Sequence, residues 1–401
     1  MAFDRLQQDL ASRKSASLYR QRRLLQSPQG PHITLDQQSL LAFCSNDYLG
    51  LANDPRLKSA MINAVNECGV GGGASHLVNG HHEQHHLLEL ELAEFLEVDR
   101  VLCFSTGYMA NIGAVNAVLR KQDQVFEDRL NHASLLDAGL LSGAKFSRYL
   151  HGDIDNLRNK MDKNFNASAD RLVVTDGVFS MDGDIAPLSA IAQLCSEKDA
   201  WLMVDDAHGV GVVGESGRGT VHEAGLGQDD VAMQMGTLGK AFGSFGAFVG
   251  GREEVVETLI QQARAYIYTT AIPPAVAAAS RESLKIVRDE TWRREHLTEL
   301  ISEFRVGCER IGLQLMPSDT PIQPVIVGSA ECAMKWSAYL QDRGVLVTAI
   351  RPPTVPNGTS RLRVTFSAAH QMDDVRELLR LLEEGQGESF LSQDGVLSDE
   401  Q

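Results

Sequence analysis

The chain has 401 residues, of which 43% are hydrophobic and 22% charged, so it is long enough for two or three domains with a large core. Its formal net charge of −16 argues against binding to nucleic acid or to an anionic membrane surface. Six scattered cysteines without a C-x-x-C pair, no apolar run of membrane-spanning length and no signal-peptide pattern predict a soluble, cytoplasmic protein with reduced thiols.

The N-terminal part predicts a helix followed by a short strand. Residues 1–25 are predicted as one amphipathic helix with a basic cluster that includes Arg20. Such a cluster is usually a solvated face, although it could hold an acidic substrate group. Residues 40–43 are predicted as a strand. The glycine-rich residues 69–75 do not match the spacing of a dinucleotide-binding loop.

A run of histidines after Gly80 offers an alternative function. Residues 82–86, His-Glu-Gln-His-His, match the H-E-x-x-H pattern, in which two histidines on one helical face bind zinc. Five-residue patterns recur by chance, and the run also fits the solvated first turn of the amphipathic helix predicted over residues 87–96. We therefore predict no metal site. A stoichiometric zinc whose removal abolishes activity would contradict this.

A strand–loop–helix pattern repeats from residue 101 to residue 250 and predicts a mostly parallel sheet covered by helices on both faces. After the strand at 101–104, a Ser-Thr-Gly turn opens a helix. Such a turn is an anion site, although an ordinary N-cap explains it as well. His132 follows a strand-like stretch near residue 125, and Asp176 ends the β-rich run 171–175.

Two further positions indicate a bound cofactor. Asp205 and His208 follow the apolar run 201–204, at the edge where open α/β sheets bind ligands. Lys240 lies in a glycine-rich loop between two apolar runs, where a surface lysine in a flexible hairpin is the alternative. A carboxylate can keep a pyridine nitrogen protonated, and an amine can form a Schiff base with an aldehyde. The pair therefore predicts pyridoxal 5'-phosphate (PLP).

After residue 251 the pattern predicts a smaller α+β unit. Its predicted helices cover residues 253–265, 274–289, 292–311, 332–343 and 372–382, and its predicted strands cover 324–327, 345–348 and the half-buried stretch 361–366. The predicted division is an N-terminal helix and arm over 1–48, a large PLP-binding α/β domain over 49–285, a small C-terminal α+β domain over 286–385 and a disordered acidic tail over 386–401.

From about residue 10 to residue 385, the chain resembles the α-oxoamine synthases, which are PLP-dependent transferases of fold type I, the aspartate-aminotransferase fold. Six ordered segments carry the resemblance: Ser45–Gly50, Asn131–Ser134, Gly177–Asp184, Val204–Gly209, Thr237–Lys240 and Ile350–Pro356. The family often has Glu where this chain has Asp176, and the histidine run is unusual, although His85 falls where the family tends to have a histidine.

The resemblance implies a position around PLP for individual residues. Lys240 would form the Schiff base, Asp205 would pair with the pyridinium nitrogen and His132 would stack on the ring. The implied contacts of the phenolic oxygen are His208 and Ser180. The implied contacts near the phosphate are Gly107, Tyr108 and Thr237, with Thr269 or Thr270 reaching the phosphate of a neighbouring subunit in a homodimer.

The same resemblance implies the substrates. Arg351 would hold the carboxylate of the amino acid with Asn46 nearby, and Thr354 and Arg20 would line the acyl side. The segment 350–356 most favours the branch that condenses L-alanine with pimeloyl-CoA or pimeloyl-acyl-carrier protein and releases carbon dioxide. A sister enzyme that uses glycine with another acyl-CoA, and a non-catalytic relative, are the alternatives.

Overall fold

The computed structural model describes residues 3–15, 18–163, 166 and 168–387. The predicted N-terminal helix is too long, because α1 covers Asp4–Ser15 and residues 18–24 are not helical. None of the residues of α1 is buried, so tertiary packing does not stabilise additional turns. The strands β1 (His32–Leu35) and β2 (Gln38–Ala42) then form an antiparallel hairpin.

A seven-stranded sheet forms the centre of the molecule. Its strands are β3 (Arg100–Phe104), β4 (Gln124–Asp128), β5 (Lys145–Tyr149), β6 (Arg171–Asp176), β7 (Trp201–Asp205), β8 (Met233–Thr237) and β9 (Ala247–Gly251). The spatial order is β3-β9-β8-β7-β6-β4-β5, and only β9 runs antiparallel to its neighbours. The predicted mostly parallel sheet is confirmed.

Helices cover this sheet. They are α2 (Pro55–Cys68), α3 (Glu83–Leu96), α4 (Gly107–Val118), α5 (Ala133–Leu141), α6 (Ile154–Lys163), α7 (Leu188–Glu197), α8 (Thr220–Glu223), α9 (Glu253–Gln262), α10 (Arg264–Ile267) and α11 (Pro274–Asp289), with a π-helical turn at His76–Gly80. Successive residues of β6 face opposite sides, so Leu172 and Val174 pack with α4 and α5 while Val173 packs with α6 and α7. Both faces are therefore buried, which explains the continuous apolar runs of these strands.

The C-terminal part adds a second, smaller unit. It contains α12 (Trp292–Arg310), β10 (Ile322–Gly328), α13 (Ala330–Asp342), β11 (Val345–Leu346), β12 (Thr348–Ile350), β13 (Ser360–Thr365) and α14 (Met372–Gln386). One sheet has the order β10-β13-β12, and β11 pairs in parallel with β2. The N-terminal hairpin therefore shares a sheet with the C-terminal unit. The predicted domain boundaries stay predictions, and the predicted tail lies, apart from residues 386 and 387, outside the described residues.

The prediction of a strand at residues 361–366 is confirmed by β13, but its predicted half burial is wrong, because all six residues of β13 are buried. Its polar side chains face protein groups instead of water. Arg361 forms an ion pair with Asp182, and Arg363 Nε donates to the carbonyl oxygen of Ser180 at 2.7 Å. The strand thereby joins the small unit to the loop that follows β6.

None of the helices in the described ranges is both long and apolar enough to cross a membrane.

Candidate active site

Lys240 lies in the loop that joins β8 to its antiparallel neighbour β9. Two hydrogen bonds to the carbonyl oxygen of Gly246 close the loop, one from the Leu238 N–H at 2.9 Å and one from Thr237 Oγ1 at 3.0 Å. Gly246 has a φ of +117°, which a residue with a side chain would adopt only with strain. The closed loop places Lys240 Nζ 2.7 Å from Nε2 of His208.

Asp205 and His208 lie at the carboxyl end of β7, as predicted. Asp205 is 5% exposed, and its Oδ1 accepts the N–H of Ala207 at 3.0 Å. Its Oδ2 accepts Nδ2 of Asn111 at 2.7 Å. The Nδ1 atom of His208 lies 2.6 Å from the hydroxyl of Tyr48. Both side chains are therefore held in fixed orientations by their neighbours.

The first turn of α4 follows β3 at the same edge. Thr106 is the N-cap, and its Oγ1 accepts the N–H of Met109 at 3.2 Å. The N–H groups of Gly107 and Tyr108 have no acceptor inside the helix, because a helix leaves its first donors free, and they lie at the positive end of the helix dipole. This turn can therefore bind a phosphate.

His132 lies just before α5 and acts as its N-cap. Its Nδ1 lies 2.8 Å from Oγ of Ser134, which also accepts Nδ2 of Asn111 at 2.8 Å. The backbone N–H of His132 donates to Oδ2 of Asp176 at 2.9 Å. The Asn111 amide donates to both Ser134 and Asp205, and Ser134 contacts His132, so these four side chains form one hydrogen-bonded chain. The short side chain of Asp176 therefore reaches the histidine backbone.

These strand ends and helix starts surround one cavity of about 180 Å³. Eight predicted site residues line it together: Gly107, Tyr108, His132, Ser180, Asp205, His208, Thr237 and Lys240. The lysine amine and the Asp205 carboxylate therefore belong to a single shared space. Five lining residues were not predicted as site residues: Asn111, Ser134, Asp176, Ala207 and Met235. The spacing of Asn111 could have indicated its position, since it lies four residues after Gly107 on the same helical face.

The other six predicted residues are not among those that line this cavity. Asn46 lies close to it, because its Oδ1 is 3.3 Å from the hydroxyl of Tyr48. Thr270 pairs with Ser75 in an isolated β-bridge. The remaining four are Arg20 and Thr354, which are exposed, and Thr269 and Arg351, which are half-buried.

Arg363 is a cation beside the cavity that the sequence did not single out. It is 8% exposed and lies on β13, and its Nε donates to the carbonyl oxygen of the lining residue Ser180. Its two terminal nitrogens lie 3.5 and 3.4 Å from Oδ1 of Asn46. The guanidinium therefore stands between two predicted site residues, Ser180 in the loop after β6 and Asn46 in the segment after β2. The alternation of polar and apolar residues along a strand does not indicate whether the polar face contacts water or another part of the protein.

Burial determines the protonation of the cavity. It lowers the pKa of Lys240 to about 8. The positive charge of Arg363 lowers this pKa further, whereas the negative charges of Asp205 and Asp176 raise it. Burial also lowers the pKa of His132 and, together with Lys240, brings the pKa of His208 well below its ordinary value. Burial and the nearby Asp205 raise the pKa of Asp176 well above its ordinary value. Burial thus favours the uncharged forms of both imidazoles and of the Asp176 side chain.

In the cofactor-free protein, Lys240 is expected to react with an amine-directed acylating reagent half-maximally near pH 8, not near the ordinary 10.5. Burial disfavours the ammonium form, so the reactive neutral amine is present at lower pH. Peptide mass spectrometry across a pH series measures this. In Arg363→Gln, the half-maximal pH should rise, because a neighbouring positive charge is removed. A half-maximal pH at the ordinary value in the unmodified sequence would contradict the effect of burial.

The zinc alternative requires His82 and His86 on one helical face, and this geometry is not present. His82 is the N-cap of α3 with φ −92° and ψ 158°, and its Nδ1 accepts the N–H of Gln84 at 3.1 Å. Only His86 lies inside the helix. The expectation of a solvated first turn is wrong for His85, which is fully buried, whereas Glu83 and His86 of the same turn are exposed.

The groups around the cavity fit PLP. The amine of Lys240 matches an aldehyde, the carboxylate of Asp205 matches a pyridine nitrogen, and the imidazole of His132 can cover a ring face. The first turn of α4 matches a phosphate, because its free N–H groups lie at the positive end of the helix dipole.

The chain belongs to the aminotransferase class I and II family, whose match covers residues 38–382. The predicted PLP-dependent fold of type I is thereby confirmed. Curated relatives named 8-amino-7-oxononanoate synthase resemble the chain over nearly its whole length. The protein of Pseudomonas syringae pv. tomato is 60% identical over 384 residues, which cover 96% of each chain. That of Hahella chejuensis is 58% identical over 382 residues, which cover 95% of this chain and 96% of the relative.

Solved structures agree with this assignment. Serine palmitoyltransferase of Sphingomonas wittichii is 30% identical, with a TM-score of 0.90 over 96% of this chain and 97% of the other. A serine palmitoyltransferase with PLP bound is 28% identical, with a TM-score of 0.90 and the same coverage. The 8-amino-7-oxononanoate synthase of Francisella tularensis is 30% identical, with a TM-score of 0.75 over 86% of this chain and 97% of the other. The predicted resemblance to the α-oxoamine synthases is confirmed, because the relatives named 8-amino-7-oxononanoate synthase are α-oxoamine synthases.

Proposed function

We propose that the protein is a PLP-dependent C-acyltransferase that condenses L-alanine with a pimeloyl thioester. The products are 8-amino-7-oxononanoate, carbon dioxide and the free thiol carrier, in biotin biosynthesis. The observation that carries this proposal is the single cavity shared by Lys240, Asp205, His132 and the first turn of α4. The relatives at 60% identity support the choice of alanine and a pimeloyl group over the substrates of a sister enzyme.

Within this proposal, six side chains and one helix turn would hold the cofactor. Lys240 Nζ would bind its aldehyde carbon, Asp205 its pyridine nitrogen, and the first turn of α4, with Thr237, its phosphate. His132 would lie against the ring, and Ser180 and His208 would contact its phenolic oxygen. When bound, PLP supplies an electron sink for the carbanion that forms at the α-carbon of the amino acid.

Lys240 would act as the general base in this proposal, once the amine of alanine has displaced Nζ from the aldehyde carbon of the cofactor. Its lowered pKa leaves a sizeable fraction of the amine uncharged near neutral pH, and that amine removes the α-proton of alanine and later returns a proton to the product. His208 lies 2.7 Å from Nζ and is itself uncharged, so it orients the amine without adding a positive charge. Tyr48 fixes the imidazole from its other nitrogen.

Asp205 keeps the pyridine nitrogen protonated, which is the condition for electron withdrawal into the ring. Its two oxygens are oriented by Ala207 N–H and by Asn111. Asp176 is its neighbour at the end of β6, and the raised pKa of Asp176 reflects burial and the cost of a second negative charge beside Asp205. The α-carbon of alanine would form a bond to the thioester carbon, the thiol carrier would leave, and the carboxylate of the resulting β-keto acid would leave as carbon dioxide.

Two arginines are candidates for the amino-acid carboxylate. The sequence favours Arg351, whereas the position of Arg363 beside Ser180 and Asn46 favours Arg363. A planar guanidinium can bind a carboxylate with two hydrogen bonds and so fix which bond of the α-carbon stands perpendicular to the ring. Arg20 and Thr354 are proposed on the acyl side, and Thr269 or Thr270 at the phosphate of the second subunit of a homodimer.

Truncation of the carboxylate-binding arginine is expected to raise the KM for alanine by about 10- to 100-fold, because a charge-assisted contact of about 1.5–3 kcal/mol is lost. Steady-state kinetics of Arg363→Ala and Arg351→Ala, with alanine varied at saturating thioester, assign the role to one of them. The arginine whose loss raises the KM for the thioester instead belongs to the acyl side. Unchanged alanine saturation in both variants would exclude both residues.

The substrate assignment is tested by a panel of L-alanine and glycine against pimeloyl-CoA and shorter acyl-CoA esters. Release of free thiol measures turnover for each pair. We expect the highest kcat/KM for alanine with the pimeloyl ester. A preference for glycine with a short acyl-CoA would identify a sister enzyme instead, and no thiol release with any pair would argue for a non-catalytic relative.

A further inference from the structure

Three imidazoles converge away from the Lys240 cavity, at the π-helical turn and the start of α3. They belong to His76, His81 and His85, and one possible ligand atom of each lies within 4.8 Å of the other two. The Nδ1 atoms of His76 and His81 are 3.0 Å apart. The three ring centroids are separated by 5.0 to 5.9 Å. None of the three residues lines the Lys240 cavity.

The two buried rings of this cluster are held in place by other groups. His76 is 9% exposed and stacks on Tyr266, with centroids 4.9 Å apart and an interplanar angle of 16°. Nε2 of the fully buried His85 lies 2.7 Å from the carbonyl oxygen of Ile272. Histidines that bind metals typically donate one ring N–H to such an acceptor, which leaves the other nitrogen free to bind the ion.

The remaining nitrogen of His85 is its Nδ1, which accepts the backbone N–H of His82 at 3.0 Å. This bond caps the start of α3 at a half-buried position. If Nδ1 of His85 binds an ion, a water molecule can therefore accept the His82 N–H in its place. The short contact between His76 and His81 needs a proton on one of the two nitrogens. A cation between them would instead use both lone pairs.

The imidazoles of the cluster are also in the protonation state that binds metals. Burial lowers the pKa of His76 to about 3 and that of His85 to about 4, with the neighbouring imidazoles adding to both shifts. Burial lowers the pKa of His81 as well. A metal ion would therefore displace no protons from imidazolium groups near neutral pH.

We propose that His76, His81 and His85 form a site for one divalent transition-metal ion of the zinc class. Three neutral imidazoles are a ligand set that suits zinc, with water in the fourth position. His81 is exposed, which gives the ion a path from solvent. The sequence-based prediction of no metal considered the pair His82 and His86, and this proposal departs from it.

The ion would have a structural role, not a catalytic one. Its ligands join the loop before α3 to the helix itself, and through Tyr266 and Ile272 they contact both ends of the segment that carries Thr269 and Thr270. An ion bound there would restrict the movement of this segment.

The test is a zinc titration of untagged, PLP-loaded protein in metal-free buffer against a competing fluorescent chelator. One zinc ion per chain is expected, and His81→Asn should weaken its binding at least about a hundredfold. Zinc should raise the melting temperature of the unmodified sequence but not that of His81→Asn. The exposed His86 is the matched control, and His86→Asn should bind zinc with unchanged affinity.

Two results would overturn the proposal. The first is no saturable zinc binding to the unmodified sequence, which would leave the cluster as a set of hydrogen-bonded and stacked rings. The second is binding that His81→Asn leaves unchanged or that His86→Asn weakens equally, which would place the ion elsewhere. The condensation reaction is not used as the readout, so a failure here would leave the proposed catalytic function untouched.

Discussion

Replacement of Lys240 by alanine is expected to abolish turnover and to remove the visible absorbance of a PLP Schiff base. The amine is both the attachment point and the general base in our proposal, and general acid–base catalysis alone contributes about 10²- to 10⁴-fold. Absorbance spectra of the PLP-loaded variant and thiol release with alanine and pimeloyl-CoA measure the two roles separately. An added primary amine should restore part of the proton transfer but not the attachment.

Lys240→Arg separates charge from chemistry. The guanidinium keeps a positive charge beside His208 but is too basic to act as the base or to form a Schiff base, so this variant should be as inactive as the alanine variant. Lys198→Ala is the control, because this lysine pairs with Asp162 at the surface and should change nothing. Turnover by Lys240→Ala near that of the unmodified sequence would refute the assignment.

Replacement of Asp205 by asparagine is expected to lower kcat by at least about a hundredfold while the fold is kept. The amide has nearly the same shape, but it cannot hold a proton on the pyridine nitrogen by charge. The Asn111 side chain, which donates to Oδ2 of Asp205, can rotate to accept from the new amide, so the fold should survive. Kinetics together with thermal denaturation measure these two effects.

A control for this variant is Asp229→Asn, since Asp229 pairs with Arg252 at the surface and should affect neither activity nor stability. If Asp205→Asn changes the KM but does not lower kcat, the carboxylate contributes only to binding. An unchanged rate would remove its electronic role from the mechanism.

Much of this site could be predicted because the fold fixes where strand ends meet. Asp205, His132 and Gly107 each follow a strand of the central sheet, and parallel strands bring their carboxyl ends to one edge. Lys240 comes from the neighbouring β8–β9 loop, whose glycines marked it in the sequence. Local patterns are sufficient when the residue of interest ends a regular element.

The positions that sequence reasoning missed depend on contacts between distant parts of the chain. Arg363 lies on β13, where polar and apolar residues alternate as they do in a half-exposed strand. The polar face of β13 is nevertheless buried, because the loop after β6 covers it. His85 was expected in water, and it is buried because the segment at Ile272 passes over it. The helix predicted to residue 25 ends at Ser15, since helix propensity without packing is not enough to extend it.

The most direct test of the proposed function follows the carbon atoms of alanine. The protein, loaded with PLP, is mixed with pimeloyl-CoA and L-alanine labelled with heavy carbon in separate samples at the carboxyl or at the methyl group, and the product is identified by mass spectrometry. We predict 8-amino-7-oxononanoate that retains the methyl label and loses the carboxyl label as carbon dioxide. A product that keeps the carboxyl carbon, or an amino group transferred without carbon–carbon bond formation, would contradict the proposal.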